Sequence, residues 1–181
     1  MATVLVPLAQ GCEELEAVTI IDLLRRADIT VVVAGLEAGP ITASRGVLLV
    51  PETTLDEVSD GDFDMVVLPG GLGGAQRLEA DQRIATLLRR MAEQGRYVAA
   101  ICAAPRVLAS AGLLKNREAT AYPGILDGQA DIRLSSAAVV RDGTFITSRG
   151  PGTAMDFALA LVEILCGRER RDTVEAALQR P

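Results

Sequence analysis

The sequence predicts an α/β fold with a mostly parallel sheet and helices on both faces. Strand-type and helix-type segments alternate, the connections between them are short and Gly-rich, and the strand-type runs are short and apolar. The 181 residues fit one domain spanning 1–181, with no internal repeat, linker or low-complexity segment. Hydrophobic residues make up 49% and aromatics only 3%, so the core is aliphatic: Val, Leu, Ile and Ala.

Thr3 to Pro7, "TVLVP", is a β-branched apolar run ending at a loop, a buried strand. Glu13 to Arg26 is a helix: Ala17, Ile20, Ile21 and Leu24 share a face, acids open it and arginines close it, as the helix dipole favours. Ile29 to Gly35 is the next strand, completing a strand–helix–strand unit. Between Ile41 and Val50, Arg45-Gly46 separates two short β-type runs, a small hairpin or extended excursion. Met65 to Leu68 is a third parallel strand, followed by "PGGLGGAQ". A helix over Leu78 to Gln94 and a fourth strand over Tyr97 to Ile101 come next, then a helix at Pro105 to Ala111. Short strands are expected near Ala119 to Ala121 and Ala137 to Arg141, with "DGT" turning into "FITS". A helix over Thr153 to Leu165 buries Phe157, Ala158, Leu161, Ile164 and Leu165, and a polar helix over Arg168 to Gln179 ends the pattern.

Composition excludes several functions. A net charge of −6 argues against dedicated nucleic-acid binding, which calls for a basic stripe. No apolar run is long enough to span a membrane, and the N-terminus enters a strand without a basic leader, so a cytoplasmic protein is expected. Three cysteines, at 12, 102 and 166, do not suggest a disulfide framework. The chain contains no histidine, which removes Ser-His and Cys-His dyads and His metal sites.

Ligands of open parallel sheets sit beyond the carboxyl ends of the strands. Cys102 lies there, where the fourth strand turns into a helix. The helix dipole and free N–H groups at such a turn favour thiolate, and Ala103 and Ala104 are small enough for a crowded elbow. Buried, inert packing is an equally good reading of a lone cysteine. Gly70, Gly71, Gly73 and Gly74 let backbone N–H groups approach an oxyanion, or form a plain tight turn. The amides of Gly71 and Ala103 could together make a two-donor oxyanion site. Glu13 and Glu14 suit a helix start without any further role. Glu16, one turn in, is the available acid/base; beside a thiolate and partly buried, its pKa should be raised.

"EELEA", "LPGGLGGAQ", "AAICAAP" and "TSRGPGTAMDFAL", in this order, resemble the ThiJ/PfpI superfamily, most of all the parkinsonism-associated deglycase (DJ-one) branch and its bacterial relatives. The resemblance covers nearly the whole chain. It implies a flavodoxin-like sandwich, a homodimer, and no metal or organic cofactor. It makes Cys102 the nucleophile, Glu16 its carboxyl partner and Gly71 the oxyanion glycine. It places Arg45 and Arg26 near the active site and dimer interface, and matches Arg149 as well. The implied activity is that of a glutathione-independent glyoxalase and deglycase acting on small aldehydes. The alternative is a redox-sensing stress protein or chaperone that uses oxidation of Cys102 without turnover. Ala103 stands where the protease-like branch has a histidine, which disfavours that activity. Tyr122 replaces a histidine of the deglycase branch, and Ala43 and Val50 replace cysteines. Cys12 and Cys166 are expected to pack, a resolving thiol near the crevice being the other reading of Cys12.

Overall fold

In the computed structural model, which describes residues 1–180, the parallel unit read at the N-terminus is present. Strand β1 (Thr3–Leu8) leads through α1 (Glu14–Arg26) to β2 (Thr30–Gly35), which pairs with β1 from Thr3↔Thr30 to Leu8↔Gly35. A two-stranded excursion follows, β3 (Ile41–Thr42) antiparallel to β4 (Leu48–Leu49). Strand β5 (Thr53–Thr54) adds to the edge beside β2 and runs into a short α2 (Leu55–Val58). The chain then crosses to the other side of β1 for β6 (Met65–Leu68), α3 (Leu72–Ala80), α4 (Gln82–Glu93), β7 (Tyr97–Ile101) and α5 (Pro105–Ser110). Beyond α5, β8 (Glu118–Ala119) pairs with β9 (Arg133–Leu134), and β10 (Val139–Asp142) turns back as β11 (Phe145–Ser148). Helices α6 (Ala154–Cys166) and α7 (Arg168–Ala177) complete the described chain. The seven-stranded sheet has the order β10-β11-β7-β6-β1-β2-β5, parallel except for β10.

Successive strand residues point to opposite faces, and the core divides accordingly. Val4, Val6, Leu8, Val67 and Ile101 face α1 and α6, where they meet Ile20, Leu24, Phe157 and Leu161. Leu5, Val66, Leu68, Val98 and Ala100 face the other way, toward Ile84, Leu87, Leu88 and Leu108. Both layers are aliphatic, as the composition requires. Phe157 is the largest fully buried side chain, and removing a side chain of that size from water stabilises the fold by about 2–3 kcal/mol.

Two local expectations are corrected. The helix expected over Leu78 to Gln94 is two helices that meet at Asp81. The Asp81 carboxylate accepts the Arg83 amide at 2.9 Å and caps α4, so the amphipathic pattern runs across a break. The glycine-rich segment is only partly loop: Gly73 and Gly74 lie in the first turn of α3. Three elements were not anticipated: β5, α2 and β9. Of these, α2 carries a readable signal, the capping box of Thr54 and Glu57.

The sheet grows outward from β1 in both directions, so the loops after β1 and β6 leave toward opposite sides. A crevice opens at such a switch point, beyond the strands' carboxyl ends. Residues 9–13, 69–71 and 102–104 meet there.

Candidate active site

Cys102 occupies the single tight step between β7 and the approach to α5. Its φ is +63°, one of four non-glycine residues at positive φ among the described residues. A side chain held there is strained by about 1–3 kcal/mol and persists only where its surroundings over-determine it. Here they do: the Cys102 amide donates to the Ser148 carbonyl at 2.9 Å, and the Cys102 carbonyl accepts the Tyr122 amide at 2.9 Å. Ala103 and Ala104 are buried beside it, and Pro105 fixes the first position of α5. Cys102 itself is 9% exposed.

Glu16, in the first turn of α1, is completely buried. Its Oε2 accepts the Gly70 amide at 2.8 Å. Its Oε1 has no hydrogen-bond partner of regular geometry among the described residues, and the Cys102 thiol lies near enough to act on the carboxyl. Space, not backbone freedom, requires glycine at 70: a Cβ there would lie 2.6 Å from both Cys102 Cβ and Glu16 Oε2. Gly71 needs both. Its φ is +83°, and a Cβ would collide with the Gly11 carbonyl and the Glu13 amide. Glu13 in turn donates its amide to the Gly70 carbonyl at 2.9 Å. The glycines therefore let two loops and an elbow close on one point.

The electrostatics of that point differ from the expected tuned thiolate. Burial, then the charge and hydrogen bonding of Glu16, push the Cys102 thiol up to about 12. The amides of Gly71 and Ala103 act on the sulfur in the opposite direction but are outweighed. Burial also pushes the Glu16 carboxyl up to about 7, against the Gly70 and Cys102 hydrogen bonds. Two buried acids this close do not both ionise, so the pair retains a proton, and above about pH 7, where the carboxyl ionises first, the thiol keeps it.

The other acids have partners. Glu13 and Glu14 both accept the Ser44 hydroxyl, at 2.7 and 2.9 Å, and Glu14 accepts the Arg45 amide at 2.8 Å. They anchor the tip of the β3–β4 excursion to α1, a role that sequence proximity could not suggest. Burial works to raise the Glu14 carboxyl, but its own backbone amide and then those hydrogen bonds hold it below the ordinary value. Arg45 is thereby placed beside the N-terminus of α1 with its side chain exposed. Arg26 is not brought to the site. It pairs with Asp22 at the far end of α1, ten residues, or about 15 Å, from Glu16. Arg149 is exposed and lines a cavity of about 260 Å³ with Tyr122 and Pro151. Cys12 is buried, with its thiol pushed up to about 11 by burial and then by Glu14. Cys166 is exposed at the end of α6, and all three cysteines are free.

Comparison with known proteins fits this arrangement. The model of the DJ-1/PfpI family matches residues 2–164. Protein DJ-1 homolog B of Arabidopsis thaliana is 46% identical over 169 residues, 92% of this chain but 39% of the plant protein, so the chain spans about two fifths of that relative. Protein dj-1beta of Drosophila melanogaster is 44% identical over 177 residues, 96% of this chain and 95% of the fly protein. The crystal structure of Drosophila DJ-1beta superposes with a TM-score of 0.96, covering 99% of this chain and 98% of that one at 43% identity. A Caenorhabditis elegans protein named glutathione-independent glyoxalase DJR-1.2 is 33% identical over 175 residues, 96% of this chain and 92% of the worm protein.

Proposed function

Because the chain belongs to the DJ-1/PfpI family, we propose that it is a cysteine-dependent enzyme acting on small reactive carbonyls. In this reading it is a glutathione-independent glyoxalase and a deglycase of glycated amines, serving under oxidative and carbonyl stress. One observation carries the proposal: a strained, nearly buried Cys102 beside a buried Glu16, with the Gly71 and Ala103 amides acting on the sulfur. The name of the worm relative supports the glyoxalase reading, at 33% identity.

As the sulfur attacks the aldehyde carbon of methylglyoxal, the thiol proton passes to Glu16. A carboxylate pushed up to about 7 is a well-matched general base at neutral pH. The hemithioacetal oxygen develops charge where the Gly71 and Ala103 amides can hold it. Glu16 returns the thiol proton to that oxygen and, a carboxylate again, carries a proton from the former aldehyde carbon to the ketone carbon while the hydroxyl proton moves to the former ketone oxygen, giving a thioester of lactate. Water releases lactate and restores the thiol. On a glycated amine, the same attack releases the amine. Every step uses this chain's own groups, with no metal or organic cofactor in the reaction.

The alternative, oxidation of Cys102 as a signal without turnover, has less support. Peroxide reacts with thiolate, and this thiol is pushed up to about 12 and is 9% exposed.

We further propose a homodimer. Leu15 and Val18 share the outer face of α1, and Val47, Leu48 and Val50 lie exposed on the excursion tied to it. Exposed apolar side chains gathered on two linked elements suit an interaction surface. Among the described residues no helix is long and apolar enough to cross a membrane. Three free thiols suit a reducing cytoplasm.

The test is methylglyoxal consumption without added metal or glutathione. The wild type should produce lactate, Cys102→Ser should lose turnover by at least about a thousandfold, and Glu16→Gln should fail mainly in kcat. Full activity in Cys102→Ser would overturn the mechanism.

A further inference from the structure

Another cavity does not involve the thiol. It lies between the carboxyl ends of β1 and β2 and the C-terminal half of α3, with a volume of about 320 Å³. Neither Cys102, Glu16, Gly70 nor Gly71 lines it. Leu8, Leu36, Ile41 and Ala80 give it an apolar floor. Strand ends of this kind are where open parallel sheets take ligands.

The polar wall is held from several sides. The Gln10 side chain is pinned at both of its polar atoms: Nε2 donates to the Pro40 carbonyl at 3.0 Å and Oε1 accepts the Thr42 amide at 2.8 Å. Arg77 Nη1 donates to the Gln10 carbonyl at 3.2 Å and to the Gly73 carbonyl at 3.0 Å. Gln10 and Arg77 both line the cavity, so the bond between them puts the guanidinium itself, and not only its stem, at the wall. Gly73 leaves room for it, because a Cβ there would stand 3.3 Å from Arg77 Nη1. With Nη1 spent on backbone, Arg77 Nε and Nη2 make no bond among the described residues, and no acid there pairs with them. Those two nitrogens are the edge of a guanidinium that meets a carboxylate with two parallel hydrogen bonds.

The remaining charges are one neutralised pair and one free acid. Arg83 donates to both Asp81 oxygens, to Asp56 and to the Leu36 carbonyl, which leaves neither Arg83 nor Asp81 for a ligand. Glu37 is exposed, lines the cavity and has no side-chain partner among the described residues. A free cation and a free anion therefore border one apolar hollow without pairing with each other. An anion alone would meet Arg77 but also the repulsion of Glu37 and Asp81. A molecule carrying both charges satisfies both ends.

We propose that this cavity binds a free α-amino acid with a branched aliphatic side chain. Its carboxylate lies on Arg77, its ammonium on Glu37 and its side chain on Leu8, Leu36 and Ile41. The volume equals that of about ten or eleven water molecules, enough for the nine heavy atoms of leucine. The site uses none of the groups assigned to the carbonyl chemistry and stands or falls without it.

The test is isothermal titration calorimetry of the full chain with leucine, 4-methylpentanoate and 3-methylbutylamine, which keep the side chain and lose one charge in turn. Leucine should bind saturably, and each analogue at least about tenfold more weakly, the scale of one charge-assisted hydrogen bond. Alanine, lacking most of the apolar side chain, should also lose about tenfold or more. In Arg77→Gln leucine should weaken to the level of 3-methylbutylamine, and in Glu37→Gln to the level of 4-methylpentanoate. Cys102→Ser should bind leucine as the wild type does; loss of binding there would put the amino acid at the elbow and overturn the separate site. Equal binding of leucine and 4-methylpentanoate, or unchanged leucine binding in both Arg77→Gln and Glu37→Gln, would overturn it too. So would the absence of binding heat and of any rise in Tm with leucine at about 10 mM, ten times a millimolar Kd. None of these readouts needs turnover, so they are independent of whether the chain consumes methylglyoxal.

Discussion

The Gly70 amide donates to Glu16 Oε2 at 2.8 Å, joining the loop after the third parallel strand of the unit to the buried first turn of α1 across 54 residues of sequence. The same glycine leaves no room for a side chain, because its Cβ position is 2.6 Å from both Cys102 Cβ and Glu16 Oε2. Gly70→Ala must therefore push the nucleophile and its carboxyl apart. The expected result is a loss of about a hundredfold in methylglyoxal kcat/KM, the scale of an ångström-sized misplacement. Overpacking should also destabilise by about 1–3 kcal/mol in urea titrations. Wild-type kinetics in this variant would show that the contact of Gly70 with the pair does not set their geometry.

Strain at the elbow can be separated from chemistry. Cys102 sits at φ +63°, where only glycine is at ease. Cys102→Ala keeps the Cβ and its strain, whereas Cys102→Gly removes both. The glycine variant should be the more stable of the two by about 1 kcal/mol by chemical denaturation, although both are inactive. The reverse order would mean that the turn is not strained.

Some of this was legible in the chain and some was not, for definable reasons. The central strands are short runs made mostly of apolar and β-branched residues, so Thr3–Leu8, Met65–Leu68 and Tyr97–Ile101 could be read almost to the residue. The elbow could be read because small residues and a proline follow a strand directly. The break at Asp81 could not, because apolar positions recur at helical spacing on both sides of it. The tethering of Ser44 and Arg45 by Glu13 and Glu14, and the wedge at Gly70, depend on contacts 30 or more residues apart. The thiol's raised pKa depends on burial, which outweighs the amides that local sequence does suggest.

Asp81 offers a direct check on the break. Its carboxylate caps α4 and pairs with Arg83, which also holds Asp56 and the Leu36 carbonyl. Asp81→Ala should cost about 1–2 kcal/mol, read as a fall of about 2–8 °C in Tm, and Asp81→Asn should recover part of it. An unchanged Tm in the alanine variant would mean that the cap contributes nothing.

The buried carboxyl makes stability depend on pH. Glu16 is pushed up to about 7 from an ordinary value of 4.5. Between those values the folded chain binds more protons than the unfolded one, so stability falls as pH rises through this window. Below about 4.5 both states are protonated and the penalty vanishes; above about 7 it is complete, at roughly 3 kcal/mol. Glu16→Gln removes the titrating group. The variant's stability relative to wild type should therefore climb from pH 5 to pH 7.5 and then level off, as measured by urea denaturation at each pH. A difference that does not change with pH would mean that Glu16 ionises in the folded protein as it does in water.

Removing the Glu16 charge should also change the thiol, in the direction opposite to its effect on turnover. Burial is the largest cause of the raised Cys102 pKa, and the Glu16 charge and hydrogen bond come next, while the Gly71 and Ala103 amides favour thiolate. Glu16→Gln abolishes the charge and leaves the two amides in place. The apparent pKa of Cys102, followed by the pH dependence of its alkylation with iodoacetamide and peptide mass spectrometry, should fall from the high value of the wild type. Alkylation at pH 8 should accelerate by about tenfold or more, since each pKa unit changes the thiolate fraction tenfold. Methylglyoxal turnover should fall in the same variant, because the group that moves the proton between the two carbons is gone. A more reactive thiol with less turnover distinguishes a proton carrier from a residue that merely supports the pocket, whose loss would slow both. Unchanged alkylation at pH 8 would mean that burial alone holds the proton on the sulfur.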